Sequence, residues 1–137
     1  QIGILFSKEF QEHNIIFKSE ILPENLKLTA DEKLIKQVMI NLVKNSVEAI
    51  YHRRGEIIIK AYNIPQNCTV IQILDNGSGI DELASESIFV PSYTTKENGS
   101  GIGLSISRQI VQMHKGTISM KSDPAGLTIF EVVIPVT

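Results

Sequence analysis

Glu32 to Tyr51 reads E-K-L-I-K-Q-V-M-I-N-L-V-K-N-S-V-E-A-I-Y, preceded by Asp31 and interrupted by no Gly or Pro before Gly55. Asp31 supplies an N-cap oxygen and Gly55 a stop, so one helix is expected over 32–51. On a wheel at about 100° per residue, three sectors replace the usual two. Lys33, Lys36 and Lys44 share a solvent face, and Ile35, Val38, Met39, Leu42, Ala49 and Ile50 share an apolar one. Between them runs a stripe of Gln37, Asn41, Asn45 and Glu48, in which Asn41 and Asn45 stand one above the other. Asn is a poor interior helix residue because its amide competes for backbone partners. Two of them stacked beside a core face are candidates for ligand binding; the competing reading is the polar flank of a surface helix. An Asn carbonyl oxygen suits a hard cation such as magnesium, which takes few protein ligands and keeps water and phosphate.

Outward from this helix, Asn14–Glu20 and Leu26–Ala30 are short extended runs around Pro23-Glu24-Asn25, expected as a hairpin or a pair of edge strands. Glu56–Tyr62 and Thr69–Leu74 are β-branched runs joined by a turn with Pro65, Gln66 and Asn67, and are expected to pair. From Asp75 to Gly101 the chain is rich in Gly, Ser, Asp, Thr and Asn, with one short helical turn in Ser85–Val90. Loops of that length inside a compact domain are uncommon and usually functional. A helix over Ile102–His114, with Ile106, Ile110 and Met113 on one stripe, ends near Gly116; strands Thr117–Lys121 and Leu127–Ile134 close the domain. This order implies an α/β (α+β) two-layer sandwich, a mixed sheet with helices packed on one face and one long loop.

The chain has 137 residues, about one domain, with 42% hydrophobic and 20% charged residues and a net charge of −2. That balance argues against nucleic acid as a partner. Cys68 is the sole cysteine, so neither an internal disulfide nor a Cys-based zinc site is expected, and a reducing, cytoplasmic setting fits. No window is apolar enough for a membrane span, and Gln1–Phe10 lacks the form of a signal peptide. The chain begins without Met inside a potential helix, so it is expected to be a domain of a longer protein, with residues 1–13 ending a connector and 14–137 forming the domain.

Two further constellations carry chemistry. Asp75-Asn76-Gly77-Ser78-Gly79-Ile80 follows a strand, placing a carboxylate where it can accept a hydrogen bond from a ligand amine while two Gly let a planar ring approach the backbone. A simple D-G type turn is the competing reading. Tyr93-Thr94-Thr95-Lys96-Glu97-Asn98-Gly99-Ser100-Gly101-Ile102-Gly103-Leu104 enters a helix through Gly, where free N–H groups and the helix dipole favour phosphate oxygens; a loop-closing device is the alternative. Its G-x-G-x-G spacing is neither the Walker nor the dinucleotide pattern, and no H-R-D or D-F-G motif occurs.

Taken in order, Asn41–Ala49, Asp75–Ile80, Phe89–Lys96 and Gly99–Leu104 closely resemble the N, G1, F and G2 boxes of bacterial sensor histidine kinases. The resemblance covers nearly the whole chain and implies the ATP-binding fold shared with DNA gyrase B, the mismatch-repair ATPases and the heat-shock chaperone family. It implies that Asn45 ligates Mg2+ with Asn41 assisting, that Asp75 binds the adenine exocyclic amine, and that Gly77, Gly79 and Ile80 shape the base pocket. It further implies an ATP lid over Phe89–Asn98, with Phe89, Tyr93, Thr94, Thr95, Lys96 and Gly99 facing nucleotide. Phosphates would lie on the amides of Gly101, Ile102, Gly103 and Leu104, ADP would be the product, and Thr128 would stand beside the adenine pocket.

The chain departs from those relatives in places. Glu48 stands where some carry a basic residue, leaving phosphate charge to Lys44 and Lys96, and Gly126 lies one place early relative to Thr128. Asn41 occupies the position of the hydrolytic relatives' Glu base, and an amide takes no proton from water, which favours transfer over hydrolysis. His13, His52 and His114 lack the acidic and Pro context of a phosphoacceptor. The implied partners are a dimerisation and histidine-phosphotransfer domain of the same protein and, through it, a response regulator. The implied parent is a homodimer, a candidate for anchoring in the inner (cell) membrane, with this fragment monomeric and not inserted. The competing functions are a nucleotide-sensing module that transfers nothing and a serine kinase of anti-sigma type on the same fold.

Overall fold

The computed structural model describes residues 6–22, 32–50, 54–77, 87–89, 103–122 and 126–135. In chain order the elements are α1 (Ser7–Glu12), β1 (Ile15–Leu22), α2 (Glu32–Ala49), β2 (Gly55–Ile64), β3 (Cys68–Asp75), a 3-10 turn (Ser87–Phe89), α3 (Gly103–Met113), β4 (Thr117–Ser122) and β5 (Thr128–Pro135). The strands form one sheet of order β1-β2-β3-β5-β4. β1 runs parallel to β2, and the other neighbouring pairs are antiparallel, so the sheet is mixed as expected. Parallel neighbours require a crossover, and α2 lies between β1 and β2 in the chain. The expected strand Leu26–Ala30 lies outside the described residues.

Strand alternation divides the sheet into two faces. Ile57, Ile59 and Ala61 of β2, Ile71 and Ile73 of β3, and Phe130, Val132 and Ile134 of β5 are all buried in one core cluster. The same cluster takes Ile35, Val38, Leu42, Val43, Val47 and Ile50 from α2 and its flank, and Ile110 and Val111 from α3. On the other face, Lys18–Glu56, Glu20–Lys60 and Lys121–Glu131 ion pairs and a 2.7 Å bond from Gln72 Nε2 to Glu131 Oε2 cross the strands. Exposed pairs of this kind contribute little each.

The buried arc of α2 is wider than the sequence wheel implies, because Val43, Ser46 and Val47 are also buried. The helix ends at Ala49, short of the expected Tyr51, as the Ile50 amide turns back to the Val47 carbonyl at 3.1 Å. That turn drops Ile50 into the core against Gly55, where an added Cβ would meet Ile50 Cγ2 at 2.5 Å. The expected loop began at Asp75, but Asp75 is the last residue of β3, paired with both Ile57 and Thr128. α3 closes with Lys115 at φ 61° and the Gly116 amide on the Val111 carbonyl, a Schellman stop. His114 Nδ1–H donates to the Ile110 carbonyl at 2.8 Å in the same turn.

Phe6 and Phe10, within the expected connector, belong to the core: Phe10 stacks on Phe6 at 5.9 Å and on Phe17 of β1 at 5.0 Å. Phe10→Ala is expected to cost about 3 kcal/mol of stability, measured by urea denaturation. Wild-type stability in that variant would mean that α1 is not part of the cooperative unit.

Candidate functional site

Asp75 continues the inward-facing series Ile71, Ile73, Asp75, so alternation aims its carboxylate at the helices, and it is 2% exposed. A buried carboxylate is costly unless donors surround it. Ser46 Oγ of α2 donates to Asp75 Oδ2 at 2.9 Å, and the Gly77 amide donates to Oδ1 at 2.9 Å. Gly77 is required sterically, since a Cβ there would sit 2.7 Å from the Ala49 carbonyl oxygen at the end of α2. Asn76 ties the same turn to β2: its Oδ1 accepts the Glu56 amide at 2.8 Å, and its Nδ2 donates to the Arg54 carbonyl at 3.1 Å. Directly across β5 stands Thr128, 3% exposed and paired with Asp75.

The second part of the site joins α2 to α3. Asn41 Nδ2 donates to the Gly103 carbonyl and to Ser107 Oγ, both at 3.2 Å, while Asn41 Oδ1 accepts from Gln37 Nε2 at 3.1 Å. Gly103 opens α3. A Cβ on Gly103 would meet Asn41 Cγ at 3.8 Å, ordinary contact, so packing against Asn41 does not demand glycine there. Asn45 is partly buried one turn along from Asn41, and Lys44 and Glu48 are exposed.

The structure therefore brings Asp75, Gly77 and Thr128 together at one end of β3, and Asn41 and Gly103 together about one and a half turns along α2, with Asn45 on the same stripe. Leu104 lies in the first turn of α3, partly buried. Phe89, expected to open the lid, is 4% exposed and packs edge-on against Phe130 at 6.5 Å, with the Arg108 guanidinium 5.8 Å over its ring. Gly79, Ile80, Tyr93, Thr94, Thr95, Lys96, Gly99, Gly101 and Ile102 lie outside the described residues. Sequence reasoning missed Ser46 and Ser107. The available signal for Ser46 was a hydroxyl four residues after Leu42, inside an otherwise apolar arc.

A family model described as histidine kinase-, DNA gyrase B-, and HSP90-like ATPase matches residues 30–137. The chain belongs to this family. The signal transduction histidine-protein kinase AtoS of Escherichia coli (strain K12) is 38% identical over 120 residues, 88% of this chain and 20% of that protein. The C4-dicarboxylate transport sensor protein DctS of Rhodobacter capsulatus is 36% identical over 128 residues, 92% of this chain and 20% of that protein. The chain thus spans 20% of the length of each of these two relatives. Among solved structures, the nucleotide-free catalytic domain of histidine kinase ThkA superposes with a TM-score of 0.88 at 36% identity, covering 98% of this chain and 87% of that one. ThkA in complex with the response regulator protein TrrA superposes with a TM-score of 0.84 at 34% identity, covering 99% of this chain and 38% of that one. The family's sandwich is the fold described above. Among the described residues, no helix is long and apolar enough to cross a membrane.

Ser46→Ala removes a donor to the buried Asp75 and is expected to lower stability by about 2 kcal/mol in the ligand-free protein, read by urea unfolding. An unchanged midpoint would show that the Ser46–Asp75 bond is dispensable.

Proposed function

We propose that this chain is the ATP-binding catalytic domain of a sensor histidine kinase and passes the γ-phosphoryl group to a histidine on a separate dimerisation domain. The observation that supports it is that one helix, α2, reaches both the Asp75 carboxylate and the start of α3. Ser46 of α2 touches Asp75, and Asn41 of α2 touches the first turn of α3. At 1.5 Å of rise per residue those contacts are about 7.5 Å apart along the axis. The spacing suits a purine against Asp75 and phosphates toward α3.

The donor set fits these groups. The Asp75 carboxylate accepts from an exocyclic amine, with Thr128 across the strand to orient the base. Amides at the start of α3 donate to phosphate oxygens where the helix dipole is positive. Asn45, with the Asn41 oxygen on the same stripe, offers hard amide oxygens for Mg2+. When bound, the ion supplies charge neutralisation of the polyphosphate. What the chain itself does is positioning: base and phosphate ends are held, leaving the terminal phosphoryl to an incoming imidazole. Phosphoryl transfer asks little covalent chemistry of the protein, so orientation and charge stabilisation suffice. Asn41, an amide where a hydrolase needs a base, favours transfer over hydrolysis. Membership of an intact sensor kinase that signals to a response regulator is supported by AtoS, DctS and the ThkA–TrrA pair.

The test is to mix the chain with a dimerisation domain from its parent protein and γ-labelled ATP. Expected is an acid-labile, alkali-stable phosphohistidine that vanishes with EDTA. Acid-stable label would identify a serine kinase, and nucleotide binding without label would identify a sensing module. In parallel, Asp75→Asn is expected to weaken ATP binding about tenfold or more while tripolyphosphate binding changes little, by calorimetry. Equal weakening of both would remove the adenine role of Asp75.

A further inference from the structure

Helix α3 buries Ile110 and Val111, at 6% and 0% exposed, in the core, while Ile106 is 39% and Met113 70% exposed, so one member of the stripe Ile106, Ile110 and Met113 faces inward and two do not. Apolar packing of Ile110 and Val111 seats the helix, and Ser107, 0% exposed, adds directional polar contacts near its first turn. Ser107 Oγ donates to the Gly103 carbonyl at 2.9 Å and accepts from Asn41 Nδ2 at 3.2 Å; Asn41 Nδ2 also donates to the Gly103 carbonyl at 3.2 Å. Gln37 Nε2, bonded to Asn41 Oδ1 at 3.1 Å, orients the amide so that its NH2 faces α3.

We propose that the cluster Gln37–Asn41–Ser107–Gly103 is a rotational pin that aims the first turn of α3, with Asn41 and Ser107 as positioning residues for phosphate binding. The proposal presupposes the nucleotide site above and deepens it. Successive helical residues differ by about 100°, so a helix turned to bury Ile106 would swing its first-turn N–H groups by about a quarter turn. Phosphate would then meet misdirected donors. The pin uses the nitrogen of Asn41, whereas a metal would use its oxygen, and the two roles are chemically separable. Asn41→Asp retains oxygens for a hard cation and loses the N–H donors. Ser107→Ala touches the pin alone.

The experiment measures ATP and adenosine binding to wild type, Asn41→Asp and Ser107→Ala by calorimetry in EDTA, with hydrogen exchange of the nucleotide-free proteins. Expected is a loss of about five- to tenfold in ATP affinity for each variant, with adenosine unchanged. Exchange of the α3 amides from Ser107 to Val111 should quicken about fivefold, with β3 and β5 amides unaffected. ATP and adenosine weakened in parallel would make the cluster merely structural and overturn the proposal. So would wild-type ATP affinity and wild-type α3 exchange in Ser107→Ala, the variant least able to disturb folding. If wild type bound neither ligand, the nucleotide site itself would fall, and α3 exchange alone would decide whether the pin exists.

Discussion

A carboxylate with 2% exposure, at a position that strand alternation assigns to the core, is the constraint around which the site is built. Leaving Asp75 there without donors would cost several kcal/mol. Ser46 supplies one donor from α2 and the Gly77 amide another from the turn beyond β3. Meeting those bonds brings the turn against the carbonyl of Ala49, which only a residue without a Cβ permits. The end of α2, the end of β3 and the turn after it are thereby fixed relative to one another before any ligand arrives. Asn76 extends the lock to Arg54 and Glu56 at the entry to β2.

The two faces of the sheet explain why the site lies where it does. One face carries ion pairs and the Gln72–Glu131 bond beside the buried Val70, Leu74 and Ile129. The other carries Ile57, Ile59, Ile71, Ile73, Phe130 and Val132, and is covered by both long helices. Asp75 and Thr128 occupy the last row of this inner face, where apolar packing gives way to polar groups. The hydrophobic layer thus ends in a carboxylate and a hydroxyl.

Polar contacts between α2 and α3 complement this arrangement. The packing of two helices is usually decided by apolar ridges, but here a fully buried serine and an asparagine amide share a carbonyl at the very turn that opens α3. Directional bonds fix rotation about a helix axis more sharply than non-directional apolar burial. In this orientation Ile110 and Val111 enter the core while Ile106 and Met113 face outward.

Much of this was legible in the residues alone. The uninterrupted run of α2, the β-branched runs of β2 and β3, the Gly-rich entry to α3 and the four ordered boxes determined the elements, the sandwich and the family, because periodicity and motif spacing are local properties of a chain. The tertiary structure decided what no local pattern contains. Ser46 meets a carboxylate twenty-nine residues away, and Asn41 meets Ser107 across sixty-six. β1 pairs in parallel with β2 because a helix intervenes. Of the expected stripe of α3, Ile110 enters the core together with Val111 while Ile106 and Met113 face outward, and hydrogen bonds between residues remote in sequence, such as Asn41 to Ser107, leave no periodic trace.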